Sequence, residues 1–363
     1  MVRRSILSIC ALTAAGKGAT LRRSFAVFAL FPVLCLALVP ARAAGIVDAA
    51  FVAEALKRGA IVWDARDAAA YQRGHIAGAV NVGDALRVLR NPTTEDFIET
   101  AHIEAILGGG GIDPAREIVV YSTRGHVGAY FAHFAIRYFG GQDVSVYHDG
   151  IDGWTDDKRP LEPSETRLAP VTLKLVPNSA LAFSTAEMLA RLQDKNLQIL
   201  DVRTRDEFAG LDVRAIRGGH VPGAVNIPYE ENWADPDTIG KLSRREVANN
   251  RGMSLKSDAD LRKLYSQLDA NKETIVYCQS GVRSAETAAV LGKLGFRNVK
   301  VYDSSWLGYA AKLDAPVEKE VFFNVGALRA QLTAMQAKID ALEKGPRRDE
   351  RAGAKVRRRA RSR

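Results

Sequence analysis

Cys278-Gln279-Ser280-Gly281-Val282-Arg283 follows directly on the apolar run Thr274-Ile275-Val276-Tyr277, and a helix-forming run begins near Ser284. A strand that enters a helix through a tight loop is where parallel α/β sheets bind ligands. Such a loop turns backbone N–H groups inward as an anion nest, and the helix N-terminus adds partial positive charge. Gly281 relieves the steric limit on the turn, and Arg283 adds a permanent cation. These features favour a thiolate over a thiol, and so a nucleophilic cysteine. The competing reading is a buried, inert cysteine, since free Cys is often buried.

The cysteine count bears on this choice. The chain has three cysteines, Cys10, Cys35 and Cys278. Residues 25–39 form a short apolar run preceded by Arg22 and Arg23 and followed by Ala41-Arg42-Ala43. A positive flank, a short apolar core and an A-x-A site together predict an export signal over residues 1–43, cleaved near Ala43, on the secretory or twin-arginine route. The mature protein is then expected in the periplasm or outside the cell. It keeps Cys278 alone, and an exposed lone thiol in an oxidising compartment is a liability unless it is used.

The elements that must position this loop occur twice. Ile61-Val62-Trp63-Asp64-Ala65-Arg66 is matched by Ile199-Leu200-Asp201-Val202-Arg203, and Tyr71 by Phe208. The run from Gly74-His75 to Val80-Asn81 is matched by Gly219-His220 to Val225-Asn226. Ile118–Tyr121 pairs with Thr274–Tyr277, and Val146-Tyr147 with Val301-Tyr302. The second copy carries insertions at 210–217 and around 228–255. Shared landmarks in a fixed order mark an internal repeat. Within each copy, short apolar runs alternate with amphipathic ones. That pattern predicts an α/β fold with a central, mainly parallel sheet and helices on both faces. Four prolines within residues 160–177 mark an interdomain linker.

With 363 residues and 47% hydrophobic content the chain is long enough for two globular domains. Its composition excludes a wholly disordered, collagen-like or multi-span membrane protein. The net charge of +9 is concentrated at the ends, with six basic and no acidic residues in 1–43 and nine basic against two acidic in 345–363. The remainder is mildly acidic, so the basic balance does not imply specific nucleic-acid binding.

The Asp-x-Arg strand end, the Gly-His-[Ile/Val]-x-Gly-Ala motif, the cysteine loop after a Tyr-ending strand and Tyr302-Asp303-Ser304-Ser305-Trp306 resemble the tandem rhodanese family of thiosulfate and 3-mercaptopyruvate sulfurtransferases. The resemblance covers about residues 48–318. It implies two rhodanese-like domains, 48–160 and 183–318, joined by a linker at 161–182, with the active loop in the second. It also implies a ping-pong reaction. The Cys278 thiolate takes the outer sulfur of a small anionic donor as a persulfide, and cyanide or a thiol removes it. No cofactor and no metal is required. Gln279, Ser280, Gly281, Val282 and Arg283 are the expected substrate-binding loop. The related loop of the cell-cycle dual-specificity phosphatases is one residue longer between Cys and Arg. By resemblance the shorter loop suits sulfur, which makes a phosphatase or arsenate reductase the weaker enzyme reading.

Around the loop, Asp201 either orients loop groups or forms a structural ion pair with Arg203. His220 either donates to substrate or holds the fold, and His75 beside a loop without cysteine favours the second role. The first copy places Ser122 where the second has Cys278, within Ser122-Thr123-Arg124-Gly125-His126, and reads as non-catalytic. Gln279 and Ser280 are closer to the mercaptopyruvate type, while Arg283 departs from that type's usual threonine. Tandem members often carry arginine where this chain has Glu207, and an acid there repels an anionic donor unless it points away.

Val325, Leu328, Leu332, Met335, Ile339 and Leu342 repeat at heptad spacing within 322–344. They predict either a short coiled coil that makes a homodimer through 325–342 or one amphipathic helix folded onto its own domain. The Arg-rich tail, 345–363, reads as disordered and suited to weak contact with anionic membrane. A non-enzymatic alternative is a periplasmic sulfur carrier or scaffold that hands sulfur to a docked partner.

Overall fold

The computed structural model describes residues 45–343. The expected export signal and the basic tail lie outside these residues. The repeat is realised as two α/β layers built to one plan. In the first, β1 (Ile46–Val47), β2 (Ile61–Asp64), β3 (Ile118–Tyr121) and β4 (Val144–Tyr147) form a sheet in the order β1-β4-β3-β2. In the second, β5 (Ala182–Phe183), β6 (Leu197–Asp201), β7 (Val225–Asn226), β8 (Glu273–Tyr277) and β9 (Val299–Tyr302) form the order β7-β6-β8-β9-β5. Every pairing within both sheets is parallel. The second sheet repeats the first and adds β7, where the first domain has only the isolated bridge Trp63–Val80.

Burial on both faces explains the near-continuous apolar strands. All four residues of β2, β3 and β4 are buried, as are Thr274–Tyr277. The register sets Tyr121 against Asp64 and Tyr277 against Asp201, so both Asp-x-Arg strand ends lie beside the strand that feeds a loop. From β3 the chain passes through residues 122–126 into α1 (Val127–Tyr138), and from β8 through 278–281 into α2 (Val282–Lys293). Helices α1 and α2 pack against each other, and one apolar cluster runs from Phe131 and Ala135 of the first domain to Val282 and Ala285 of the second. The two loops therefore belong to one continuous body.

The proline-rich segment is tied to the first domain. Leu161–Glu162 pairs with His75–Ile76, and the amides of Val171 and Asn178 donate to the carbonyls of Gly108 and Tyr138. The second copy's Arg217–His220 pairs antiparallel with Glu318–Phe322. Beyond this lies α3 (Val325–Glu343), which buries none of its residues. The helix does not fold back onto its own domain.

Candidate active site

Cys278 leaves β8 as a fully buried residue, 1% exposed. Its carbonyl accepts the Trp306 N–H at 3.0 Å, and its own N–H donates to Ser305 Oγ at 3.1 Å. The Gly281 N–H donates to the same oxygen at 3.0 Å, and Ser305 Oγ–H donates to the Tyr302 carbonyl at 2.5 Å. One hydroxyl thus closes both ends of the Cys278–Gly281 turn. Ser305 holds φ +46°, a conformation that costs a non-glycine residue on the order of 1–3 kcal/mol. Gly281 has φ +83°, and a Cβ there would sit 2.6 Å from the Asp303 carbonyl, so both conformation and space require glycine.

With two amides taken by Ser305, those of Gln279, Ser280, Val282, Arg283 and Ser284 have no acceptor within the described residues. The last three are the unpaired donors of the α2 N-terminus. This is the donor set that an anionic sulfur beside the loop needs.

The side chains depart from the sequence expectation in one respect. Arg283 is not a free cation. Its Nη1 and Nη2 donate to the two Glu207 carboxylate oxygens at 2.7 and 2.9 Å, and Arg214 donates to the same carboxylate at 3.2 Å. Glu207 points at Arg283 rather than at an incoming donor. Burial alone raises the Glu207 carboxyl, but the Arg283 hydrogen bonds and charge hold it down to about 2. Burial disfavours the Arg283 charge, yet Glu207 and the nearby Cys278 keep the guanidinium above its ordinary range. Gln279 Nε2 donates to the Arg214 carbonyl at 2.8 Å, and its buried Oε1 has no partner.

Asp201 and Arg203 form a bidentate pair in which Arg203 Nη2 also donates to the Gly219 carbonyl at 2.7 Å. The guanidinium lies 4.5 Å from the Trp306 ring centroid. None of their side-chain hydrogen bonds reaches residues 278–283. Asp64, Arg66 and Gly74 repeat the arrangement in the first domain. His220 stacks on Phe208 and engages the Phe208 carbonyl and Glu318, as His75 stacks on Tyr71 and engages its carbonyl. These three residues hold the frame of each copy. Trp306 is fully buried in the core and donates to the Arg217 carbonyl.

The first copy's loop is differently occupied. Ser122 Oγ lies 3.4 Å from His126 Nδ1, but that nitrogen also accepts the Gly128 N–H at 3.1 Å, which leaves it poorly placed as a base for the serine. Arg124 is tied to Asp149, Asp156 and, across the interface, Asn250. Met253 packs over Gly125, and its carbonyl contacts His148 Nε2 at 2.8 Å.

A model of the rhodanese-like domain matches residues 48–157 and 184–312, more than half the chain. The chain belongs to the rhodanese-like family. A putative thiosulfate sulfurtransferase of Mycolicibacterium smegmatis is 36% identical to this rhodanese-like protein over 265 residues, covering 69% of this chain and 88% of the relative. The thiosulfate sulfurtransferase of Corynebacterium glutamicum is 34% identical, covering 71% and 84%. Among solved structures, the 3-mercaptopyruvate sulfotransferase SseA of Escherichia coli aligns with TM-score 0.61 and 25% identity over 72% of this chain and 99% of that one. An anaerobic ergothioneine biosynthesis enzyme of Chlorobium limicola shares the fold at TM-score 0.65 and 22% identity, over 76% and 70%.

Sequence reasoning did not single out Ser305, Arg214 or the first domain's Arg90, whose Nη2 donates to the Ser280 carbonyl at 2.6 Å. Ser305 lies inside the Tyr302–Trp306 motif and was within reach. Arg90 is 190 positions away from Ser280 and carried no local signal.

Proposed function

We propose that this protein is a rhodanese-type sulfurtransferase that moves a sulfane sulfur from thiosulfate or 3-mercaptopyruvate to cyanide or a thiol through a Cys278 persulfide. The names of the relatives support the class. The observation that carries the assignment to Cys278 is its loop, where the one cysteine of the described residues is followed by five unpaired amides, three of them the N-terminal donors of α2. The Cys278 thiolate attacks the outer sulfur of thiosulfate. A Cys–S bond forms, the donor S–S bond breaks, and sulfite leaves with the electron pair. With mercaptopyruvate the C–S bond breaks, and the enolate takes a proton to become pyruvate. Cyanide then attacks the outer persulfide sulfur, and thiocyanate leaves the regenerated thiolate.

The Arg283–Glu207 pairing bears on the donor. With Arg283 neutralised, binding of a dianion rests on amide donors and Arg214 rather than on a strong local cation. Initial rates with each donor and varied cyanide test the proposal. Parallel double-reciprocal lines with thiocyanate release, absent in Cys278→Ser, are expected. Release of phosphate from an aryl phosphate without sulfur transfer would overturn it.

A further inference from the structure

The first domain's loop without cysteine leaves open what that domain contributes. Its segment from Arg90 to Phe97, closed by an isolated bridge between those two residues, is docked on the second domain's cysteine loop. Arg90 is 8% exposed, with its guanidinium 5.1 Å from the Phe131 ring centroid and bound to the Glu95 carbonyl through Nε at 2.7 Å. Held there, its Nη2 donates to the Ser280 carbonyl at 2.6 Å. Asp96 of the same segment accepts from Ser304 Oγ at 3.0 Å, next to Ser305. The cysteine turn is thus held from both sides, by Ser305 on its Cys278 and Gly281 amides and by Arg90 on the Ser280 carbonyl between them.

Resting on Cys278 as the nucleophile, we propose that Arg90 is a positioning residue for the cysteine loop, contributed by the non-catalytic domain. The Ser280–Gly281 peptide could flip by a concerted rotation about its flanking bonds. Flipped, it loses the Gly281 N–H bond to Ser305 Oγ and sets a carbonyl against that oxygen, whose own hydrogen is already given to Tyr302, so the turn that carries Cys278 and its unpaired amides opens. A charge-assisted bond from a buried arginine fixes the carbonyl outward. The first copy's segment thereby becomes part of the second copy's active site.

The test is the alkylation rate of Cys278 by iodoacetamide across pH, with sulfur transfer and thermal stability measured on the same full-length samples. Arg90→Ala is expected to slow alkylation at pH 7 at least tenfold, to move its pH profile to higher pH and to lower kcat. Arg90→Lys should recover part of each. Arg124→Ala, at the same interface but on the other loop, controls for general loosening. It should lower the melting temperature and leave the alkylation profile in place. An Arg90→Ala profile that matches the unmodified protein overturns the proposal, as does an Arg124→Ala profile shifted equally. Alkylation does not depend on the sulfur donor, so failure of the sulfurtransferase reading is seen separately as an alkylating protein that transfers no sulfur.

A different observation carries a second inference. Helix α3 is about 28 Å long and exposes one apolar stripe, with Val325, Leu332, Met335 and Leu342 each more than half exposed. We infer that the occupant of this face is a second copy of α3, running antiparallel. In that register Val325 faces the second copy's Leu342, Leu328 its Ile339 and Leu332 its Met335, so the stripe is self-complementary about a two-fold axis. The two basic tails then leave from opposite ends, which keeps their like charges apart. Light scattering of the full chain over a concentration series should show a dimer that Leu332→Glu with Ile339→Glu converts to a monomer of unchanged specific activity. A monomer at every concentration overturns the inference, including one that instead binds phosphatidylglycerol vesicles. So does a dimer that survives the double substitution.

Discussion

The loops 122–126 and 278–283 start from equivalent strands, enter equivalent helices and differ in what fills them. After β3 the chain offers Ser122, and the space over the loop is taken by Asn250 to Ser254 from the second domain's insertion. After β8 it offers Cys278 with its neighbouring amides left unpaired. The positions that back the two loops differ as well. The Ile151 N–H donates to the Ser122 carbonyl as the Trp306 N–H does to Cys278. The residue before it is Gly150 in the first copy and Ser305 in the second. A Cβ at Gly150 would lie 2.0 Å from the Ser122 carbonyl, so the first loop has no room for a Ser305 equivalent. One fold thus carries an interface loop and the proposed reaction loop, and the difference resides in a few residues at each mouth.

Removing the proposed nucleophile breaks the comparison most sharply. Cys278→Ser should lower thiocyanate formation to background, about 10^4-fold or more. Ser122→Cys in that background should restore nothing, because Met253 covers its loop. Thiocyanate release by the double variant contradicts the account.

Loosening the contacts between the first loop and the Asn250–Ser254 segment comes next. Arg124→Ala leaves Asp149 and Asp156 without their buried partner, and should cost about 2 kcal/mol of stability in a denaturant titration. Activity per folded molecule should stay within twofold, whereas a proportional fall would make the two loops energetically inseparable.

Glu207→Gln frees Arg283 and sharpens the contrast in charge between the loops. With thiosulfate, kcat/KM should rise roughly fivefold at low salt, and the gain should shrink as salt is added. A fall would mean that the ion pair is needed to shape the loop.

The smallest effect is pH-dependent. Burial pushes the Asp303 carboxyl up to about 7. An acid raised in the folded state stabilises below its unfolded value near 4 and loses that contribution as pH rises through about 7. The Asp303 contribution should therefore fall between about pH 5 and 8. His126, His133 and His148, lowered by burial, contribute stability that grows as pH rises toward 6.5. The readout is therefore the difference from Asp303→Asn, which should lose about 1–4 kcal/mol less over that range. Burial also raises Glu230 and Glu286, so some slope should remain in that variant. An unchanged slope removes Asp303 from the explanation.

The parallel sheets were legible because buried strands read as continuous apolar runs, and the repeat made each copy a check on the other. The cysteine loop was legible because its components are adjacent in sequence. What could not be read were contacts made across long separations. Arg283 looked like a free cation because Glu207 lies 76 positions away from it, and only the fold turns that acid toward the arginine. The insertion around 228–255 was visible, but its packing on the other domain's loop was not. Such contacts depend on how the helices α1 and α2 meet, and no local pattern encodes that.

The central claim is that sulfur is carried at the second loop and nowhere else. Intact-mass and peptide-level mass spectrometry after exposure to thiosulfate, followed by cyanide, tests it most directly. A gain of one sulfur atom is expected on the peptide containing Cys278, lost on cyanide treatment and absent in Cys278→Ser. No gain with either thiosulfate or mercaptopyruvate, or a gain that survives in Cys278→Ser, contradicts it.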